Sequence, residues 1–215
     1  MYISIQNLSA MNISIIGSGN VGTALATGWA KAGHKITFGV RDPHSAKAMA
    51  AAEKVKGSHM AGLKDALKSA DIIVITTPAD AATEIAGLLI KDTKQVIIDA
   101  TNAVRVKPEP YATAFHALKA IAGAEHVVKC FNTTGYENMA DPVYGDVAID
   151  MFMAGNSKKA KQIAENLSND IGFGSCIDFG GDDKVELLEK MALCWINLAI
   201  MQGQGRNIAF KLHRR

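Results

Sequence analysis

Apolar positions in this chain fall into two patterns that alternate almost to its end: short unbroken runs, and stretches spaced three and four residues apart. The runs near 12–16, 35–40, 57–60, 71–76, 95–99, 126–131, 149–154 and 173–178 predict strands. Helices are expected between them. Val21, Ala24, Leu25, Gly28, Trp29 and Ala32 form one apolar stripe that Gly33 ends, and 44–54, 62–69 and 79–89 read as crossover helices. Residues 157–168 carry Ala160, Ile163, Ala164 and Leu167 on one side and lysines elsewhere, an amphipathic helix. Such alternation predicts an α/β fold, a Rossmann-type doubly wound, mainly parallel sheet with a small C-terminal helical segment. The expected division is 11–180 for the sheet domain and 181–215 for the helical segment.

One run has a special ending. Asn12 to Ile16 leads directly into Gly17-Ser18-Gly19-Asn20-Val21-Gly22 and then into the first helical stripe. In a dinucleotide-binding turn the first glycine lets the chain leave the strand, the second lets backbone approach a pyrophosphate, and the third lets helix pack on sheet. Free N–H groups at the helix start then face the phosphates. Asp71 to Pro78 is an apolar run closed by proline, expected to be buried on both faces and to end at the ligand edge.

The 215 residues suffice for one full core, and 48% hydrophobic with 20% charged residues is ordinary globular composition. A net charge of +2 gives no reason to invoke nucleic acid. Cys130, Cys176 and Cys194 are odd in number and widely separated, which argues against a disulfide framework or zinc site and for a reducing cytoplasm. The six histidines lack metal spacing, so no metal site is expected. Met191 to Met201 is interrupted by Asn197 and too short to cross a bilayer, so no membrane partner is expected. Residues 1–10 precede a second methionine, Met11, and read as an extension or a misplaced start.

Cofactor preference turns on the end of the second strand. An acid about 20 residues after the glycines would hold NAD ribose hydroxyls, whereas arginine there suits the 2′-phosphate of NADP. The chain reads Gly39-Val40-Arg41-Asp42, which favours NADP through Arg41. His44 or Lys47 could add charge; Asp42, one residue on, could instead serve a ribose.

These motifs resemble the NADP-dependent reductases of the deazaflavin coenzyme F-420. The likeness runs from Met11 through the glycine turn, Gly39-Val40-Arg41 (usually Gly-Ser-Arg in the family), Asp99 to Asn102, Val127 to Asn132, Met153 to Asn156 and the closing segment from Asn197 to Leu212. Val-Lys-Ala-Phe-Asn is also typical of the related NADPH-binding domains of metalloreductases. The resemblance implies direct hydride transfer between nicotinamide and a stacked flat ring, which needs proximity and orientation and no acid or base. No catalytic side chain is therefore expected. It further implies that Ser18, Gly19, Asn20 and Val21 cradle the pyrophosphate, in the cofactor-binding turn that Gly17 and Gly22 shape, with Val40 and Arg41 at the adenosine phosphate, Thr77 and Pro78 at the nicotinamide ribose, and Asn102 and Asn132 in the nicotinamide neighbourhood. Thr77 and Pro78 could equally just end a strand, and the asparagines cap turns.

Two other readings stay open: an NADPH-dependent reductase of flavin, ferric complexes or quinone, and an NADPH-binding redox sensor without turnover. Met191 to Met201, apolar nearly all round, is either the core of a C-terminal unit, the wall of a flat ring's pocket or a homodimer contact. The expected partners are a small-molecule hydride acceptor and a second copy of the chain. Gln202 to Arg206, rich in glycine, either lets backbone meet a second ligand or breaks a helix.

Overall fold

The computed structural model describes residues 10–215, and all but the last residue of the expected extension over 1–10 falls outside them. The chain begins β1 (Asn12–Ile16), α1 (Asn20–Lys31), β2 (Lys35–Val40), α2 (Ala46–Lys54), β3 (His59–Gly62), α3 (Leu63–Ser69) and β4 (Ile72–Ile75). One 3-10 turn at Ala79–Ala81 leads into α4 (Ala82–Leu88), followed by β5 (Val96–Asp99), α5 (Ala114–Ala122) and β6 (Val127–Lys129). The six strands form one parallel sheet in the order β3-β2-β1-β4-β5-β6. The order reverses at β1 and β4. That is the switch point beside which doubly wound sheets open a crevice at their carboxyl edge.

The apolar runs make two cores because side chains alternate across a strand. Ile13, Ile15, Ile72 and Val74 join Leu25, Trp29 and Phe38 on one face; Ile16, Ile73, Ile75 and Ile97 join Phe115 and Leu118 on the other. Ser14, buried in the middle of β1, donates its hydroxyl to Ala66 O at 2.7 Å and so carries no orphaned polar group.

The second half continues with α6 (Tyr136–Ala140), a hairpin of β7 (Val143–Tyr144) and β8 (Val147–Ala148), then β9 (Asp150–Met153), α7 (Lys158–Asp170), β10 (Ser175–Asp178) and α8 (Val185–Ile196). β9 and β10 pair in parallel. The end of β9 meets β6 antiparallel, Lys129 and Ala154 exchanging backbone hydrogen bonds of 2.8 and 3.0 Å. The sheet is thus mainly parallel with one antiparallel seam. No described helix is long and apolar enough to cross a membrane.

Two sequence expectations shift, and one hairpin is new. The third strand lies at His59–Gly62, two residues beyond the expected 57–60, because Gly57 adopts φ 80° in the turn leaving α2. The hairpin at 143–148 had no sequence signal strong enough to place it. Met191 to Met201 is not one helix buried all round: α8 stops at Ile196, a π-type turn covers Asn197–Met201, and Leu193, Leu198, Ile200 and Met201 are exposed.

The last residues run back across the body. Asn138 Nδ2 donates to Ile208 O at 2.8 Å, Lys211 Nζ meets Asp150 Oδ1 at 3.0 Å, and Leu212 N donates to Asp150 Oδ2 at 2.9 Å. Arg206 stacks over Tyr136 and Trp195 at 5.3 and 5.4 Å and binds Glu137 through two bonds. Burial pushes the Glu137 carboxyl up, but the Arg206 bonds and its own backbone N–H outweigh that and hold it below the usual range. Gly203 and Gly205, at φ 69° and 82°, end the π turn: Gln204 N and Gly205 N donate to Leu198 O and Ala199 O. Their conformation accounts for these glycines without a ligand.

Candidate functional site

Every strand of the main sheet points its carboxyl end the same way, so the segments after β1, β2, β4, β5 and β6 share one edge. At the switch point Gly17 takes φ 112°, a conformation open to glycine, and its N–H donates to Gly39 O at 3.0 Å. Gly22 is required for a different reason. A Cβ there would lie 2.5 Å from Gly17 O and 2.7 Å from Thr76 Oγ1, so only glycine lets α1 approach the strand this closely. Gly19 caps α1 in extended conformation, φ −79°, with nothing within 4 Å of where a side chain would begin. The space a side chain would fill is open.

No acid lies in the first turn of α1, and among the described residues no side chain caps it. The N–H groups of Asn20 and Val21 have no partner inside the helix and sit at its positive end. Half-buried Ser18 and exposed Asn20 flank them.

A cleft of about 710 Å³ opens here, bordered by Gly17, Ser18, Val40, Arg41, Thr77 and Pro78. Six of the twelve expected binding residues therefore share one cavity. Gly19, Asn20, Val21 and Gly22 belong to the helix start beside it. Asn102 and Asn132 do not border it; they follow β5 and β6 and bind each other, Asn102 Nδ2 to Asn132 O at 2.9 Å and Asn132 Nδ2 to Asn102 Oδ1 at 3.1 Å. Two buried oxygens along the edge, Thr77 Oγ1 and Asn132 Oδ1, have no hydrogen-bond partner among the described residues. Buried acceptors are seldom left so, and both would be satisfied by a polar ligand.

Arg41 leaves β2 with its side chain 74% exposed and pairs across the cleft with Glu84 of α4, Nη2 to Oε2 at 2.6 Å. Asp42 also borders the cleft, its Oδ1 accepting from His44 N at 2.9 Å in the turn before α2. One of its oxygens is engaged in local backbone, and Arg41 is the arginine at the cavity's charged end. Lys47, Ser45 and Leu63 also border this end, and Asp80 and Glu84 line the cleft from the side of α4.

Sequence reasoning missed several of these contributors. Thr76, not Thr77, braces the glycine turn, donating its hydroxyl within 3.1 Å of both Ile16 O and Gly17 O. Glu84 shares a side of α4 that gave no signal of its own. Lys129, Asp99 and Glu189 form a buried ionic cluster next to Asn102, with Lys129 Nζ 2.9 Å from Asp99 Oδ2 and 2.6 Å from Glu189 Oε1. The available signal was a lysine and an aspartate inside Val-Val-Lys and Val-Ile-Ile-Asp, since buried charges require partners.

α8 stands beside this same edge. Its Glu189 accepts from Ala103 N at 2.9 Å, and a Cβ on Gly135 would come within 2.8 Å of the Trp195 ring. The C-terminal helix therefore flanks the loops after β5 and β6.

Comparison with known proteins finds similarity to reductases. Residues 12–103, from β1 to the loop carrying Asn102, match the model of a family described as NADP oxidoreductase, coenzyme F420-dependent. A protein of Methanothermobacter marburgensis named F420-dependent NADP reductase is 28% identical over 226 aligned residues, covering 94% of this chain and 98% of its own. The protein of the same name from Methanothermobacter thermautotrophicus is 26% identical, with 94% of each chain covered. A crystal structure from Arthrobacter sp. FB24, 24% identical, superposes with a TM-score of 0.79 over 95% of this chain and 100% of its own, a likeness of fold. The resemblance read from the motifs is borne out, and so is the Rossmann-type sheet.

Proposed function

We propose that the chain is an NADP(H)-dependent oxidoreductase that passes hydride between nicotinamide and the deazaflavin coenzyme F-420. The observation that carries this reading is the cleft at the switch point, which joins an open glycine-capped helix start to Arg41, an arginine tied only by a solvent-exposed pair with Glu84. The family model over 12–103 and the relatives named as F420-dependent NADP reductases support the acceptor.

In this reading Ser18, Gly19, Asn20 and Val21 hold the pyrophosphate, with Gly17 and Gly22 shaping the turn. Val40 and Arg41 take the adenosine phosphate, Thr77 and Pro78 the ribose, and Asn102 with Asn132 the nicotinamide. The bound nicotinamide and deazaflavin supply the hydride chemistry themselves. The protein's part is to orient the rings and exclude water, with α8 as the wall on the acceptor side. We assign no side chain as acid or base.

The test mixes the protein with NADPH and oxidised F-420 and follows deazaflavin absorbance, with FMN, ferric citrate and menadione in parallel. Turnover with F-420 at least tenfold above the others is expected. Equal turnover with FMN would favour a general flavin reductase, and tight NADPH binding without any turnover would favour a sensor.

We also propose a cytoplasmic homodimer. The compartment rests on the odd, scattered cysteines, and the dimer on Leu193, Leu198, Ile200 and Met201, which are 40, 41, 50 and 65% exposed along one stretch. Large apolar side chains gain roughly 1.5–3 kcal/mol each on full burial, enough collectively to offset association costs. Ile200→Asp should yield a monomer by light scattering at micromolar concentration; a wild-type monomer there would overturn the dimer.

A further inference from the structure

Lys129, at the end of β6, is fully buried and uses all three ammonium hydrogens: to Asp99 Oδ2 at 2.9 Å, Glu189 Oε1 at 2.6 Å and Thr101 O at 2.7 Å. Asp99 stands opposite it in the register of β5 and β6, and Glu189 reaches in from α8. The second oxygen of each carboxylate goes to the same short loop. Asp99 Oδ1 accepts from Thr101 N and Glu189 Oε2 from Ala103 N, both at 2.9 Å. Backbone on each side of Asn102 is thus fixed by all three charged groups.

Stability is a poor account of this arrangement, because apolar side chains of similar volume commonly hold a core as well as buried ions do. Ions add direction. They bond the loop's N–H and C=O groups at fixed points, and Asn102, between those points, binds Asn132 so that Asn132 Oδ1 is left as a buried free acceptor among the described residues.

We infer that Lys129, Asp99 and Glu189 are positioning residues for the nicotinamide end of the site: they set Asn102, and through it Asn132, and tie that pair to α8. The inference rests on the NADP(H) reading of the cleft. It makes the C-terminal helix part of the nicotinamide half of the site rather than only its wall. The adenosine half, built from the turn after β2 and from α4, shares none of these bonds.

Glu189→Gln tests the inference. Glutamine keeps one acceptor oxygen, and its NH₂ then faces either the Lys129 ammonium or the Ala103 N–H, donor against donor. Calorimetry should find NADPH binding weakened about five- to tenfold. Adenosine 2′,5′-bisphosphate, which lacks the nicotinamide half, should bind within about twofold of wild type. In an Asn102→Ala background, Glu189→Gln should cost less than about a further twofold, since both changes act through one group. Equal weakening of the two ligands, full multiplication of the two losses, or unchanged NADPH affinity would each overturn the inference. Should Glu189→Gln lose its cooperative melt, Asp99→Asn, which retains an acceptor for Thr101 N, is measured the same way with the same outcomes decisive. A wild-type protein binding neither ligand would overturn the NADP(H) reading and this inference together.

Discussion

Gly19→Val is expected to weaken NADPH binding at least about a hundredfold, roughly 2.7 kcal/mol, while leaving the sheet folded. Three glycines stand in the turn, and only this one separates binding from folding. Gly17 has φ 112°, so any side chain there strains the backbone, and a Cβ on Gly22 would press into Gly17 O at 2.5 Å. Gly19 has an ordinary φ of −79° and open space around its missing side chain. A valine would fill the volume proposed for the pyrophosphate and hinder access to the N–H groups of α1. The structural cost is that of a poor helix cap, about 1 kcal/mol. Circular dichroism should stay native-like with a melting temperature lower by a few degrees, and Gly22→Val should melt far earlier. Normal NADPH affinity in Gly19→Val would put the phosphate site elsewhere.

That contrast also marks what one sequence can reveal. Local geometry was legible: the strand into Gly17, the helix stripe to Gly33 and the doubly buried run to Pro78 each depend on neighbours within a few residues. Strand alternation with helices then implied the parallel sheet, because β4 and β5 are buried along their whole length and β1 at all but its first residue. Pairings across the fold were illegible. Arg41 finds Glu84 43 residues away, Asn102 finds Asn132 at 30, and Lys129 finds Glu189 at 60. Nothing in periodicity encodes such partners. The exposure of α8 was misjudged for the same reason, since the tail returning from Ile208 to Leu212 covers part of the molecule that a linear reading leaves bare.

Arg41 carries the second large effect. NADPH should bind at least tenfold more tightly than NADH, about 1.4 kcal/mol, because a guanidinium can meet the 2′-phosphate in charge-assisted bonds that NADH cannot offer. The Arg41 to Glu84 pair does not oppose this strongly: with side chains 74 and 50% exposed, such pairs contribute at most about 1 kcal/mol, and a phosphate dianion competes well for the arginine. Asp42 spends one carboxylate oxygen on His44 N in the turn before α2, and a carboxylate offers a 2′-phosphate no favourable contact. Arg41→Ala should therefore bring the NADPH and NADH dissociation constants within about threefold of each other, with NADH affinity itself nearly unchanged in a fluorescence titration. The discrimination should also shrink as salt rises, since the arginine is solvent-facing and screened. Equal loss of both cofactors on Arg41→Ala would mean that the residue shapes the adenosine wall generally, and would transfer the 2′-phosphate to Lys47, the other cation bordering that end of the cleft.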